Sequence, residues 1–336
     1  MTNSATPNTL EDTPYRHGLH LMAMGVTVFT FLVICVGGTT KSKEAGLTIP
    51  EPVIFNWVAE WLVTENISAE YGHRIIAFML SCLIATLTGW VLFVEKRPAV
   101  RKLAIGALLA VIAQAVLGAL TVKFFAHAKT SIPHAVLGQI TFCIAASLAV
   151  VTSAQWMAPT KAVISNEQPA LRRLTISLVA TLFVQLLLGA ALRHDDKAHA
   201  LRDGHESIFI WHLAAHILGA LAVTYFLARV LMSVFRQHRE QKEILGPARL
   251  IMMLLGVQLS LGIGAAILKV MTRSYDAANS PPPLRVWVAT SHVAGGALML
   301  ALSVVLALKA YRYTESNGKS TLKYNEHSTG RLGVPA

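Results

Sequence analysis

Apolar residues are grouped along this 336-residue chain in eight blocks, separated by polar and charged stretches. The blocks cover residues 19–38, 74–94, 103–122, 132–154, 174–192, 208–230, 250–268 and 286–308. A helix needs roughly twenty apolar residues to cross a hydrocarbon core of about 30 Å, and each block is close to that length. The pattern therefore predicts an all-α membrane protein with eight transmembrane helices.

Composition agrees with this fold and excludes one function class. Hydrophobic residues make up 54% of the chain and charged residues 14%, and the mean hydropathy is +0.53. The net charge of +11 would point to nucleic acid in a soluble protein, but in so apolar a chain the basic residues meet lipid headgroups and set topology. We expect membrane lipid, and no nucleic acid, as a partner.

The distribution of lysine and arginine predicts the orientation in the membrane. More of them flank the blocks on the side of both termini than on the opposite side, which makes both termini cytoplasmic. No Arg-rich transit segment precedes the first block, so we expect a multi-pass protein of a cell inner membrane. The predicted parts are a tail (1–18), an N-terminal half (19–154), a linker (155–173), a C-terminal half (174–308) and a second tail (309–336).

Two short patterns repeat along the blocks. Odd-numbered blocks end on a glycine, in three cases four residues after a glutamine: VICVG (33–37), QAVLG (114–118), QLLLG (185–189) and QLSLG (258–262). Even-numbered blocks have a histidine near their start, followed by small residues: His73, His134, His216 and His292. The repeating unit is a helical hairpin used four times, so we expect two pseudo-symmetric four-helix bundles related by an axis along the membrane normal. The glycines fit close helix packing equally well.

Four histidines at one depth, two in each half, are harder to explain as isolated core residues. Neutral imidazole is the usual axial ligand of haem iron, and a four-helix bundle can hold a porphyrin between histidines of two helices. Zinc or copper is the alternative, but the three cysteines (Cys35, Cys82 and Cys143) lie inside the blocks without a zinc-type spacing. Two haem sites, one in each half, are therefore predicted.

Glu70 distinguishes the two halves. It precedes His73 by three residues and would share one helix face with it, whereas the equivalent position before His216 is Leu213. Such a carboxylate can orient the imidazole, take a proton or lie beside a ligand. Alternatively, Glu70 is an acid in the first turn of its helix or a partner of Arg74. The asymmetry suggests that the first half performs chemistry and the second holds a cofactor.

Taken together, these motifs resemble the haem A synthase family of cytochrome oxidase assembly proteins. The residues that carry the likeness are E-x-x-H-R at 70–74, GGTTKSKEAGLTIPE after the first block, the Q-x-x-L-G ends and the four histidines, over about 19–308. The resemblance implies an oxidoreductase that converts the C8 methyl of haem O into the formyl group of haem A. It also implies a haem b cofactor, and haem O synthase and a quinol electron donor as candidate partners.

The resemblance also implies roles for individual residues. His216 and His292 would be the axial ligands of the haem b iron, His73, His134 and Arg74 would bind the substrate haem, and Glu70 would be catalytic. Arg193 is a candidate contact of a haem propionate, and His212 is a candidate partner or alternative ligand beside His216. Residues 41–69 lack the cysteine pair that many relatives carry, and Lys41 stands where they have arginine.

Two rival functions and one loop remain open from the sequence. A di-haem b-type electron carrier would use all four histidines as permanent ligands, and a haem-binding assembly or transport protein would perform no oxidation. In the loop after the first block, Trp57 and Trp61 belong either to a cover over the first haem site or to an aromatic belt.

Overall fold

The computed structural model describes residues 14–42, 65–124, 128–158, 163–164, 168–194, 206–272 and 282–315. In these ranges the helices are α1 (His17–Ser42), α2 (Glu65–Val94), α3 (Pro98–Lys123), α4 (Ala128–Val151), α5 (Ala154–Met157), α6 (Gln168–His194), α7 (Glu206–Gln237), α8 (Lys242–Met271) and α9 (Pro283–Tyr313). Two-residue strands, β1 (Val163–Ile164) and β2 (Thr314–Glu315), pair in parallel. Trp57, Trp61 and most of both predicted tails lie outside the described residues.

Eight of the helices described, all except α5, are long and apolar enough to cross a membrane, which confirms the predicted fold class. Most helices extend beyond their apolar blocks, and α2 and α4 illustrate the differences. Helix α2 begins at Glu65, well before the block that starts at residue 74, because hydropathy marks only the lipid-facing length of a helix. Helix α4 ends at Val151, and the Ser153 hydroxyl then caps α5 by accepting a 3.2 Å bond from the Trp156 N–H.

Each half of the chain closes into a ring of four helices. In the first half the neighbours are α1 and α2, α2 and α3, α3 and α4, and α4 and α1. The second half repeats this order with α6, α7, α8 and α9. One cluster of buried apolar side chains fills the first ring around Ile84 and Leu87, and another fills the second around Leu178 and Leu227.

The two rings meet along α1, α4, α6 and α9. A third cluster fills this junction with small residues, Ala146, Ala297 and Ala301, beside Phe142. The Phe142 ring lies 5.7 Å from that of Phe31, measured between centroids. Small side chains let helices approach closely in lipid, where packing rather than water drives association. The neighbours match those expected for a pseudo-twofold relation, while superposition of the halves stays a prediction.

Because eight spans are an even number, both ends of the described chain lie at one face of the bundle, here named the terminal face. The opposite face, where α2, α4, α7 and α9 begin, is named the histidine face. At the terminal face, Glu95 and Arg97 form a buried ion pair of 2.6 Å in the turn between α2 and α3. Arg97 also donates to the carbonyl of Val151, which ties this turn to the end of α4.

A second set of contacts at the terminal face joins α5 to the end of α9. Arg312 donates to the carbonyl of Trp156 over 2.7 Å, and its guanidinium lies 5.3 Å from the centroid of that indole ring. The Tyr313 hydroxyl donates to the carbonyl of Gln155 over 3.1 Å. Together with the pairing of β1 and β2, these bonds anchor the segment between the halves to the last helix.

Candidate functional site

The four predicted histidines lie in the first third of α2, α4, α7 and α9, near the histidine face. They are His73, His134, His216 and His292, and each is half-buried. The predicted candidate His212 lies one turn before His216 on α7 and is also half-buried. The structure therefore brings the histidines of all four hairpins to one end of the bundle.

Each of the four rings packs against the backbone of the preceding span at the glycine that ends its motif. A Cβ added to that glycine would lie close to ring carbon Cε1: 2.8 Å for Gly37 and His73, 3.2 Å for Gly118 and His134, 3.0 Å for Gly189 and His216, and 3.0 Å for Gly262 and His292. These distances are shorter than ordinary van der Waals contact, so a side chain here would push the ring away. The glycine and the facing histidine of one hairpin are named a socket.

In three sockets a glutamine one turn before the glycine holds the histidine-bearing helix. The amide nitrogen Nε2 donates to the histidine carbonyl: Gln114 to His134 over 2.9 Å, Gln185 to His216 over 3.0 Å, and Gln258 to His292 over 2.6 Å. The first socket has Val33 in this place, and valine cannot donate. The repeated glutamine was visible in the sequence, but its acceptor is a backbone atom and left no signal of its own.

The two histidine pairs differ in how close their rings come. The centroids of the His216 and His292 rings are 6.3 Å apart, with the ring planes at 77°. His73 and His134 are near enough for their charges to interact, yet the described part of the chain shows no such ring contact between them. The second half thus holds a tight pair, and the first half a looser one.

Glu70 lies inside α2, in its second turn, and not at the mouth of a helix as its position before the apolar block predicts. Its side chain is 5% exposed and forms an ion pair of 2.5 Å with Arg74. The prediction that Glu70 pairs with Arg74 is therefore confirmed. The alternative prediction, that Glu70 belongs to the first turn of its helix, is wrong. Nitrogen Nδ1 of His73 is buried with no partner among the described residues. The carboxylate therefore does not orient this nitrogen, although both side chains stand on neighbouring turns.

Arg193 joins the two halves of the bundle close to His216 and His292. It donates to the carbonyl of Gly38 over 2.8 Å and to the hydroxyl of Ser42 over 2.6 Å, both on α1. Ser42 in turn bonds Thr290 on α9 over 3.2 Å. Arg193 is close enough to His292 for their charges to interact. These two bonds hold the guanidinium against the end of α1.

Comparison with known protein families shows to which family the chain belongs. A family model of cytochrome oxidase assembly proteins, COX15-CtaA, matches residues 62–304. The chain belongs to this family. The match begins before Glu70 and extends past His292, so it includes all four sockets' histidines, and it confirms the resemblance found in the motifs. A comparison with curated proteins finds no match.

In the second half of this cytochrome oxidase assembly protein, the spacing of His216 and His292 fits a haem iron. An imidazole nitrogen binds a metal at about 2.0–2.1 Å with its ring centroid about 1 Å further back, so two rings on one metal have centroids roughly 6 Å apart. The observed separation is 6.3 Å. Across the described ranges, no three His, Cys, Asp or Glu residues cluster as a bare-ion site would require. Two axial histidines suffice for a porphyrin, which supplies the remaining ligands itself.

Proposed function

We propose that this protein oxidises the C8 methyl of haem O to the formyl group of haem A, and so supplies haem A for terminal oxidase assembly. Membership of a cytochrome oxidase assembly family supports a role in preparing that enzyme. In the proposal, haem O binds between His73 and His134 in the first half. A haem b cofactor is held by His216 and His292 in the second half.

The observation that carries the proposal is the buried carboxylate of Glu70, one turn from His73. The second half has Leu213 at the equivalent position, so of these two positions only the one in the first half carries a carboxylate. A carboxylate next to a reacting carbon can take the proton that oxidation of a methyl group releases. Arg74 holds the carboxylate in place through their ion pair.

The remaining residues bind and orient in this proposal. The rings of His216 and His292 are separated by 6.3 Å between centroids, which would suit one iron atom between them. Arg193 is close to His292 and suits a propionate of a haem there, because a guanidinium binds carboxylates with a fork of N–H groups. When bound, the haem b supplies the one-electron redox chemistry that no side chain of the site provides.

The test is the identity of the haem that the protein makes. We would purify the wild type, Glu70→Gln and Glu95→Gln from cells supplied with haem O, extract the haems and identify them by mass. The wild type should contain haem A, and Glu70→Gln should accumulate haem O. Glu95→Gln is the matched control, since Glu95 is also a buried, arginine-paired carboxylate but lies at the terminal face. It should behave as the wild type.

Other outcomes would contradict the proposal in distinct ways. Only haem b, at two per chain in all three proteins, would indicate the di-haem electron carrier. Haem O bound but unchanged in the wild type would indicate a haem-binding assembly or transport protein. Haem A in equal yield from Glu70→Gln would leave the reaction standing and remove the role of Glu70.

A further inference from the structure

The end of α1 belongs to the first half of the bundle but is bonded to the second half. Nitrogen Nη2 of Arg193, on α6, donates to the carbonyl of Gly38 over 2.8 Å and to the hydroxyl of Ser42 over 2.6 Å. The Ser42 hydroxyl also bonds that of Thr290, on α9, over 3.2 Å. These four residues are named the clasp. Three helices from the two halves therefore meet at the last turn of α1.

The backbone inside the clasp is closely packed. Gly38 is buried, and a Cβ added to it would lie 3.4 Å from Cγ2 of Thr290, whose own exposed fraction is 6%. Hydrogen bonds from a guanidinium are charge-assisted and roughly twice as strong as bonds between neutral groups. The clasp therefore fixes the position of the last turn of α1 against α6 and α9.

The residue next to the bonded carbonyl forms the first socket. Gly37 directly precedes Gly38, and a Cβ added to Gly37 would lie 2.8 Å from Cε1 of the His73 ring. This is the shortest of the four socket distances, so the ring and the backbone of α1 are in the closest contact here. A small shift of that backbone would therefore move the His73 ring or open a gap beside it.

The first socket is also the one that lacks a glutamine. In the other three, a glutamine amide donates to the carbonyl of the facing histidine and so joins the two helices of the hairpin. Val33 has this place on α1 and cannot donate. The position of α1 beside His73 thus depends more on bonds from outside its own hairpin, and the clasp supplies such bonds.

We propose that Arg193, a residue of the second half, is a positioning residue for the haem site of the first half, because through Gly38 and Ser42 it holds the backbone against which the His73 ring packs. The inference rests on the proposed function, since it takes haem O as the ligand of His73. Groups that orient a ligating imidazole from behind affect the affinity for the metal although they do not touch it. Arg193 also lies close to His292, so one guanidinium is next to both candidate haem sites.

The experiment measures haem O binding by the full chain in detergent, with the proposed haem b of the second half in place. Haem O is added stepwise, and the change of its absorption spectrum gives the dissociation constant. Ser42→Ala removes one acceptor of Arg193 and should weaken haem O binding about two- to tenfold, the effect of one hydrogen bond. Haem b should stay at one per chain. Thr39→Val is the control and should bind as the wild type does, because it also removes one hydroxyl from α1, but that hydroxyl bonds the carbonyl of Cys35 in its own helix.

A double-mutant cycle tests whether this effect passes through Arg193. Arg193→Met should weaken haem O binding at least as much as Ser42→Ala, because both bonds to α1 are lost. Adding Ser42→Ala to Arg193→Met should cause little further loss, since the bond that it removes is already absent. Additive losses would show that Ser42 acts without Arg193 and would overturn the inference. If Arg193→Met does not fold, Thr290→Val replaces it: this variant leaves both Arg193 bonds in place and should weaken binding less than Ser42→Ala, and an equal loss would overturn the inference.

The outcomes separate this inference from the proposed function. Unchanged haem O binding by Ser42→Ala, or loss of haem b alone from Arg193→Met, would overturn the role of Arg193 in the first half while haem oxidation stands. Haem O binding that depends on Ser42, without haem A as product, would support the inference and overturn the oxidation. A wild type that binds no haem O would overturn both.

Discussion

At the scale of single residues, the absence of a side chain decides the geometry of the sockets. Each histidine ring occupies the space that a Cβ on the facing glycine would fill, so the ring lies directly against a helix backbone. Only glycine allows that approach, and its cost in helix propensity is small beside the loss of the socket. The same argument does not apply to every glycine of the bundle, since Gly25 and Gly256 face open space.

This difference yields a prediction within one helix. Gly262→Ala places a Cβ 3.0 Å from the His292 ring and should reduce haem retention roughly tenfold, because the ring must move away from the position in which we propose that it binds iron. Gly256→Ala on the same helix meets nothing within 4 Å and should retain haem as the wild type does. The ratio of haem to protein after purification measures both. Equal losses in the two variants would contradict the steric argument.

At the scale of elements, the hairpin is the unit that repeats. One helix brings a glutamine and a glycine one turn apart, and the other brings a histidine followed by small residues that make room for the amide. Gly138 shows this, since a Cβ there would lie 3.1 Å from Nε2 of Gln114. The two sequence patterns therefore form one contact between the two helices of a hairpin. Its glycines make room for the histidine ring and the glutamine amide, and this explains them better than close helix packing in general.

The sequence predicted the helices of these hairpins better than their side-chain partners. Blocks of twenty apolar residues leave few alternatives to a membrane helix, so the number of spans was predictable. The start of α2 at Glu65 was not, because the residues before position 74 are polar and hydropathy does not register them. The sequence also could not show that Glu70 pairs with Arg74 and not with His73, since both residues lie within one helical turn of Glu70.

The turn between α2 and α3 provides a prediction about pH. Burial raises the pKa of the Glu95 carboxyl, but hydrogen bonds from Arg97 lower it more, so the net pKa lies below the ordinary 4.5. A lowered pKa means that the ionised carboxylate stabilises the fold above the unfolded value, and that this stability is lost as pH falls through the folded value. The wild type should therefore melt above Glu95→Gln at pH near 7, with the gap closing below about pH 4.

The control for this experiment is Glu240→Gln, which changes an exposed carboxylate outside the spans. It should not alter the melting temperature at either pH, because an exposed charge without a fixed partner contributes little to stability. Thermal unfolding in detergent measures all three proteins. A gap between wild type and Glu95→Gln that is the same at both pH values would show that the ion pair is not its source.

At the scale of the whole molecule, two rings of four helices share one narrow junction. Alanines and Phe142 fill it, while Arg193 bridges it near the histidine face and the strands β1 and β2 lie at the terminal face. The two candidate haem sites therefore lie on either side of this junction, which also contains an open cavity of about 240 Å³ between α4, α6 and α9.

The prediction at this scale concerns the packing of the junction between the halves. Ala297 is fully buried at this junction. Ala297→Leu should destabilise the protein by about 1–3 kcal/mol, because the added carbons force the two four-helix rings apart. Ala266→Leu makes the same change at an exposed position of α8 and should be neutral. Thermal unfolding of both variants in detergent checks this. Similar melting temperatures for the two variants would indicate that the halves do not depend on close contact.

The bonds between α5 and the end of α9 have a consequence for biosynthesis. Arg312 is 156 positions from its acceptor Trp156, and Tyr313 is 158 positions from Gln155. Since the ribosome makes the chain from its N-terminus, these donors emerge only after the last span has been synthesised. The carbonyls of Gln155 and Trp156 therefore lack these donors until the whole second half has been inserted. This junction can therefore form only after the last membrane span has been made.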